Sequence, residues 1–175
     1  MMSLSKIEEK LILSSVQKIL LATDGSITRI LEAIRGGSII VETITQELIN
    51  ADMEIADILD IDLGSTVNYR VVNLRDSKKV LIRAVSHAPV ERLPQEFREN
   101  IMKKDKPIGR IMAKLRIEAR REIKGFKIIK ADEELSGIFG IPLGALLLKR
   151  MYNIIYQGEV LLNITEIFPH TFFRG

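Results

Sequence analysis

The sequence predicts an α+β fold: one antiparallel sheet of roughly six strands flanked by helices, in a single domain spanning residues 1–175. Three observations predict it. Apolar residues at helical spacing dominate the start of the chain, β-branched alternating segments dominate from "SIIVETITQELI" onward, and the short polar turns "RDSKK" and "QG" join consecutive strand segments as antiparallel hairpins. A chain of 175 residues is one domain in size and long enough to bury a substantial core.

The first helix is expected from Ser5, where "SKIE" has the Ser-x-x-Glu form that satisfies free backbone donors at a helix start. Its stripe would run through Ile7, Leu11, Leu13, Val16, Ile19 and Leu20. "TDGS" breaks it: Asp24 and Gly25 suit a turn, and Ser26 caps a second helix, "ITRILEAI", that ends at Gly36-Gly37. The first strand then alternates Ile40, Glu42 and Ile44 against Val41, Thr43 and Thr45. "ADMEIADILD" reads as either a short helix or a loop.

"STVNYRVVNL" and "KVLIRAVSHA" form the first hairpin, with Pro89 ending its second strand. Helix is expected from Pro94 to about Lys104 and again over "IGRIMAKL", since Pro107 suits a helix start. "ARREIKGFKIIK" is a fourth strand and "DEELSGIFG" a capped helix ending at Gly140. "ALLLKRMYNIIY" and "EVLLNITEIF" make the second hairpin, which stops at Pro169. No internal repeat is evident.

Composition excludes several function classes. Hydrophobic residues at 46% and charged residues at 28% give a globular balance, not a disordered one. No apolar run approaches the roughly 20 residues of a membrane span, and Lys6, Glu8, Glu9 and Lys10 interrupt any secretory signal, so a cytoplasmic protein is expected. With no cysteine there is no disulfide, iron–sulfur cluster, thiolate nucleophile or cysteine zinc site, and His87 and His170 alone make no histidine-rich metal centre. A carboxylate-only magnesium site has no support. The segment from Lys103 to Lys130 holds eleven Lys or Arg against three acids, a local +8 that leaves −5 for the rest of a +3 chain. Such a stretch marks a solvated face, a nucleic-acid surface or a funnel for an anionic metabolite.

No dinucleotide, P-loop, nucleophile-elbow or zinc-protease motif is present. The candidates are polar residues inside apolar strands. Arg70 in "VNYRVVNL" requires an anion if buried, because its five donors cannot be left dry. Glu166 lies between Ile164 and Phe168 on one strand face, where a carboxylate in an apolar pocket can hold a hydroxyl or move a proton. Solvent-facing positions, or a structural ion pair between the two, would explain them equally well.

"TDGSITRILEAI", "YRVVNL" with "VLIRAVSHAPVERLP", "KPIGRI" and "QGEVLLNITEIFP" stand in the order and approximate spacing of the chorismate pyruvate-lyases, and nearly the whole chain resembles their archaeal and mycobacterial branch. The resemblance implies a chorismate lyase-like sheet with the ligand enclosed under two helix-turn-helix flaps, "TDGSITRIL" and "KPIGRIM". It implies conversion of chorismate to 4-hydroxybenzoate and pyruvate without metal or organic cofactor. On this likeness Arg70 binds the ring carboxylate, Glu166 contacts the ring hydroxyl, Ile27 covers the ring and Ile108 meets the ligand through its main chain, with Thr28 and Gly109 as further substrate-binding residues. Arg150, or alternatively Arg121, would hold the second carboxylate. One position departs from the pattern: relatives often carry arginine where Val85 stands in "AVSHAP".

Two other readings remain. The fold is similar to ligand-sensing domains of bacterial transcription regulators, and "ADEELSGIFGIPLGALLLKRMY" looks much like their segment, so a non-catalytic binder of a small aromatic acid is the alternative. About 38 residues before the first strand are too few for the winged DNA-binding domain of a complete regulator. A DNA-reading helix-turn-helix in "VQKILLATDGSITRILEAI" would expose only Thr28, Arg29 and Glu32, too few base-reading side chains, so the expected partner is an aromatic carboxylate and not nucleic acid.

Overall fold

The computed structural model describes residues 1–102 and 106–174. At its centre is a six-stranded antiparallel sheet in the order β1-β2-β3-β6-β5-β4. The strands are β1 (Ile40–Asn50), β2 (Thr66–Arg75), β3 (Val80–Pro89), β4 (Arg120–Lys130), β5 (Leu146–Tyr156) and β6 (Glu159–Pro169). Helices α1 (Leu4–Glu8), α2 (Ser15–Ala22) and α3 (Ile27–Arg35) precede β1, and α4 (Met53–Leu59) joins β1 to β2. α5 (Gln95–Ile101) and α6 (Ile108–Lys114) lie between β3 and β4, and α7 (Glu133–Phe139) joins β4 to β5.

The two hairpins, β2–β3 and β5–β6, and the helix starts at Ser26 and Pro94 agree with the sequence. Ser26 caps α3, and Gly36 ends it in the left-handed conformation that a residue without Cβ adopts at no steric cost. The first expected helix is instead two. Ser3, not Ser5, caps α1, and a capping box at Ser14 restarts the chain as α2: Ser14 Oγ accepts from Gln17 N (3.1 Å) and Gln17 Oε1 accepts from Ser14 N (2.9 Å). Ile19, expected in the buried stripe, is exposed, and Leu20 and Leu21 are buried. The ambiguous 51–60 segment is helical because Asp52 accepts from Ile55 N and starts a turn. The expected end of α5 at Lys104 lies outside the described residues.

A repeat missed in the sequence is plain in the structure. β1-α4-β2-β3 and β4-α7-β5-β6 are successive copies that meet at β3 and β6, so residue n of the first falls on residue n + 80 of the second. Both copies break register at the same place, Thr43/Thr45 in β1 and Ile123/Gly125 in β4. Asp52 and Asp132 make the same cap, and Ala51–Gly64 and Ala131–Gly144 the same loop bond. Identities concentrate between residues 49 and 64, where "ADMEIADILDIDLG" faces "ADEELSGIFGIPLG" at an offset of 80, and they thin out along the strands to such pairs as Arg70/Arg150, Asn73/Asn153 and Pro89/Pro169.

Alternation then assigns faces. Arg70, Val72, Ala84, Ser86, Tyr152, Ile164 and Glu166 share the face beneath α1–α3, α5 and α6. Two apolar clusters fill that side. One joins Leu20, Leu21 and Leu31 to Leu148 and Phe168; the other joins Phe97, Ile101 and Ile111 to Tyr152, Ile154 and Leu162. The opposite face is covered by α4 over Leu59 and Val67, and by α7 over Phe139 and Leu147. Each fully buried Leu or Phe contributes about 1.5–3 kcal/mol, so these clusters fix the floor on which the polar groups stand.

Candidate active site

Between the two upper clusters lies a cavity roofed by two helix starts. Ser26, Ile27 and Thr28 enter it from α3 and its cap, and Pro107, Ile108 and Gly109 from α6 and its cap. The flaps touch each other: a Cβ on Gly109 would stand 3.2 Å from Ser26 Oγ, and Arg110 Nη2 meets Glu32 Oε1 at 2.5 Å. The cavity volume is about 70 Å³, below the roughly 150 Å³ of an apolar cavity that admits benzene.

Two guanidinium groups at equivalent points of the repeat hold the two flaps. Arg150, 0% exposed, donates from Nη1 to the carbonyls of Leu20 (2.7 Å), Leu21 (3.3 Å) and Thr23 (3.0 Å), where α2 ends. These carbonyls have no intrahelical donor, so the cation satisfies what the helix end leaves open. Arg70, 2% exposed, donates from Nη1 to Lys106 O (3.0 Å) at the foot of the second flap and from Nη2 to Thr43 Oγ1 (3.2 Å).

Glu166 is 3% exposed and lines the cavity. Its Oε2 accepts from Arg150 Nε at 2.5 Å and its Oε1 from the Tyr152 hydroxyl at 3.1 Å. Burial alone would lower the Arg150 pKa, but Glu166 and Tyr152 beside it raise it on balance, so the guanidinium stays charged. Burial and the Glu166 charge push the Tyr152 phenol up, which keeps it a donor. A carboxylate has about four lone-pair sites. Two are used here, and the rest can accept from a ligand hydroxyl.

The repeat makes the cavity's asymmetry explicit. Val41, Val72, Ala84 and Ser86 of the first copy face it beside their counterparts Arg121, Tyr152, Ile164 and Glu166 of the second. The first copy thus gives the chamber Arg70 and Ser86 among apolar side chains, and the second gives it Arg121, Tyr152 and Glu166. Arg121 donates from Nη1 to Asp24 O (2.8 Å), tying the "TDGS" turn to β4.

Of the residues expected at a site, Arg70, Glu166, Ile27, Thr28, Ile108 and Gly109 all line this one cavity. Arg150 lies behind Glu166 and is not part of the lining. The ion pair is Glu166–Arg150, not Glu166–Arg70. Tyr152 and Ser86 were missed, although each stands two residues along its strand from a cavity or anchor residue and so shares its face. Val85 lies between the lining residues Ala84 and Ser86, so its side chain projects to the opposite face, and the departure there takes nothing from the cavity. His87 shares that far face, its ring centroid 5.3 Å from Tyr69. Among the described residues no His, Cys, Asp and Glu group could hold a metal ion, and no helix is long and apolar enough to cross a membrane.

Residues 21–174 match the family described as Rv2949c-like chorismate pyruvate-lyase. A Methanocaldococcus jannaschii protein whose provisional name is lyase is 37% identical over 170 residues, covering 94% of this chain and 84% of that one. The chorismate pyruvate-lyase of Mycobacterium leprae is 29% identical over 164 residues, with 90% of this chain and 75% of that protein covered. Among solved structures, the effector domain of PhnF from Mycobacterium smegmatis superposes with a TM-score of 0.70 at 16% identity, covering 83% of this chain and 88% of that domain. A GntR-family transcriptional regulator from Bacillus cereus gives 0.62 at 17% identity, covering 77% and 94%. These two likenesses bear on the fold alone.

Proposed function

The chain belongs to the Rv2949c-like chorismate pyruvate-lyase family, and from that premise we propose that it converts chorismate to 4-hydroxybenzoate and pyruvate without metal or organic cofactor. One observation supports the reading: a buried arginine and a buried glutamate, remote in sequence, face a single, mainly apolar cavity beneath the two flaps. In this reading Arg70 receives the ring carboxylate, and Glu166, held by Arg150 and Tyr152, accepts from the ring hydroxyl. Ile27 and Ile108 close on the two faces of the ring, with Thr28 and Gly109 beside them.

The reaction asks little of the protein beyond this. The ether bond between ring and enolpyruvyl group breaks, the ring loses a hydrogen and becomes aromatic, and the enolpyruvyl methylene gains a proton to become the methyl of pyruvate. Atoms and electrons balance without a co-reactant. The site has to orient an anion, exclude water and stabilise charge on the departing enolpyruvate, which preorganised donors in a closed chamber do well. Because Arg70 is already bonded to Lys106 O, a carboxylate arriving there meets a group tied to the second flap, and ligand capture is linked to closing of the roof.

Purified protein incubated with chorismate should release pyruvate and 4-hydroxybenzoate in equal amounts, unchanged by EDTA. Tight binding of 4-hydroxybenzoate with no pyruvate formed would replace this reading with that of a non-catalytic aromatic-acid binder.

A further inference from the structure

Resting on the reading of the cavity as a chorismate site, we infer that Arg121 is the anchor for the second carboxylate, the one on the enolpyruvyl group, and that it sets the preference of the site for dianions. Arg150, the other candidate, stands behind Glu166 and outside the cavity lining: its Nε holds Glu166, its Nη1 holds three carbonyls of α2 and the turn after it, and its remaining buried nitrogen, Nη2, does not face the cavity. Arg121 lines the cavity directly. Its Nη1 is bonded to Asp24 O, but its buried Nε has no hydrogen-bond partner among the described residues. A buried guanidinium donor left without an acceptor is costly, and an anion in the cavity supplies one.

Ligand chemistry puts the second carboxylate at this end. The ring carboxylate and the ring hydroxyl of chorismate lie across the ring from each other, and the enolpyruvyl ether hangs on the carbon next to the hydroxyl. With the ring carboxylate on Arg70 and the hydroxyl on Glu166, the ether leaves the ring at the Glu166 end. In the strand order β2-β3-β6-β5-β4, Arg70 stands on β2, Glu166 on β6 and Arg121 on β4, so the two arginines flank Glu166 from opposite sides. From β2 to β4 the backbone separation is four strand spacings, roughly 19 Å. Both side chains reach into the space between. The counterpart of Arg121 in the first repeat is Val41, so the cation is a feature of one half alone.

The probes are 4-hydroxybenzoate, with one carboxylate, and 4-hydroxyisophthalate, an unreactive dianion whose second carboxylate sits next to the hydroxyl. Binding of both is measured by calorimetry on the wild type and on Arg121→Met and Arg121→Lys. The wild type should bind the dianion more tightly. Arg121→Met should weaken dianion binding at least tenfold and change monoanion binding less than twofold, and Arg121→Lys should restore part of the difference, since it returns the charge without the fork. Equal weakening of both ligands, which loss of the Asp24 tie alone would produce, or no change in either, overturns the assignment. These ratios are read without turnover, so a protein that releases no pyruvate from chorismate refutes the lyase reading while leaving the role of Arg121 to be decided by binding.

Discussion

Arg150 Nε lies 2.5 Å from Glu166 Oε2, in a pair of which neither member reaches solvent to any useful extent. The same guanidinium holds the end of α2 through three carbonyls. One cation thus fixes the first flap and holds the Glu166 carboxyl in place.

Removing one partner of such a pair leaves a buried charge uncompensated. Arg150→Met should destabilise the protein by about 3–5 kcal/mol, and Arg150→Met/Glu166→Gln by less than the single change. Urea unfolding of the two variants checks this. A single variant within about 1 kcal/mol of wild type would contradict the role given to the pair.

In the proposed binding mode Arg70→Ala loses two charge-assisted hydrogen bonds to the ring carboxylate, each worth about 1.5–3 kcal/mol, so kcat/KM for chorismate should fall about a hundredfold or more. Glu166→Gln should lower kcat more than it weakens binding of 4-hydroxybenzoate, because it removes a charge that matters as the ether bond breaks. Steady-state kinetics with circular dichroism as a folding control measures both. Unchanged turnover in Arg70→Ala would remove that residue from the site.

The roof gives a kinetic prediction. The Glu32–Arg110 pair spans the flaps at a partly exposed position, with the two side chains 26% and 59% exposed, so its loss in Arg110→Ala should cost only about 0–1 kcal/mol of stability. Gly109→Ala puts a methyl 3.2 Å from Ser26 Oγ, a contact that the first flap has to relieve by a small shift. Both variants should release 4-hydroxybenzoate faster with little change in Tm, as stopped-flow fluorescence would read. An unaltered release rate in both would mean the flaps do not gate the cavity.

Burial holds His87 below its ordinary pKa of 6.5, and the carboxylates of Asp52 and Glu54 offset only part of that depression. The folded state therefore prefers the neutral ring, and the unfolded chain takes up the extra proton first as pH falls. Stability from this group is complete above the ordinary value and declines as pH drops from 6.5 toward the lowered folded value. Urea midpoints taken between about pH 7.5 and 5.5 should show that slope in the wild type. His87→Gln should flatten it, and an identical slope in the variant would contradict the assignment.

Much of this was legible in the residues because local signals and tertiary demands agreed. The hairpin turns, the Ser26 cap, the Gly36 and Gly140 stops and the face shared by Ile164, Glu166 and Phe168 each follow from period and turn chemistry, and they put Arg70 and Glu166 in view. What was not legible depends on long-range partners. Gln17 looks like an ordinary helical position, yet its amide holds the carbonyls of His170 and Phe172 and ties α2 to the end of the chain, which favours a new helix start at Ser14. Arg150 reads as a ligand-binding cation until its acceptors are seen to be the carbonyls of α2. The duplication is masked in the strands, which pair alike with different side chains such as Val41 against Arg121 and Ser86 against Glu166, and its sequence signal lies in "ADMEIADILDIDLG" and "ADEELSGIFGIPLG".

The central claim is that one aromatic acid lies between Arg70 and Glu166 beneath both flaps. A crystal structure with 4-hydroxybenzoate tests it most directly. The ring should lie between Ile27 and Ile108, with its carboxylate on the Arg70 guanidinium and its hydroxyl on Glu166. A ligand bound elsewhere on the sheet, or one in the cavity touching neither side chain, would contradict the account.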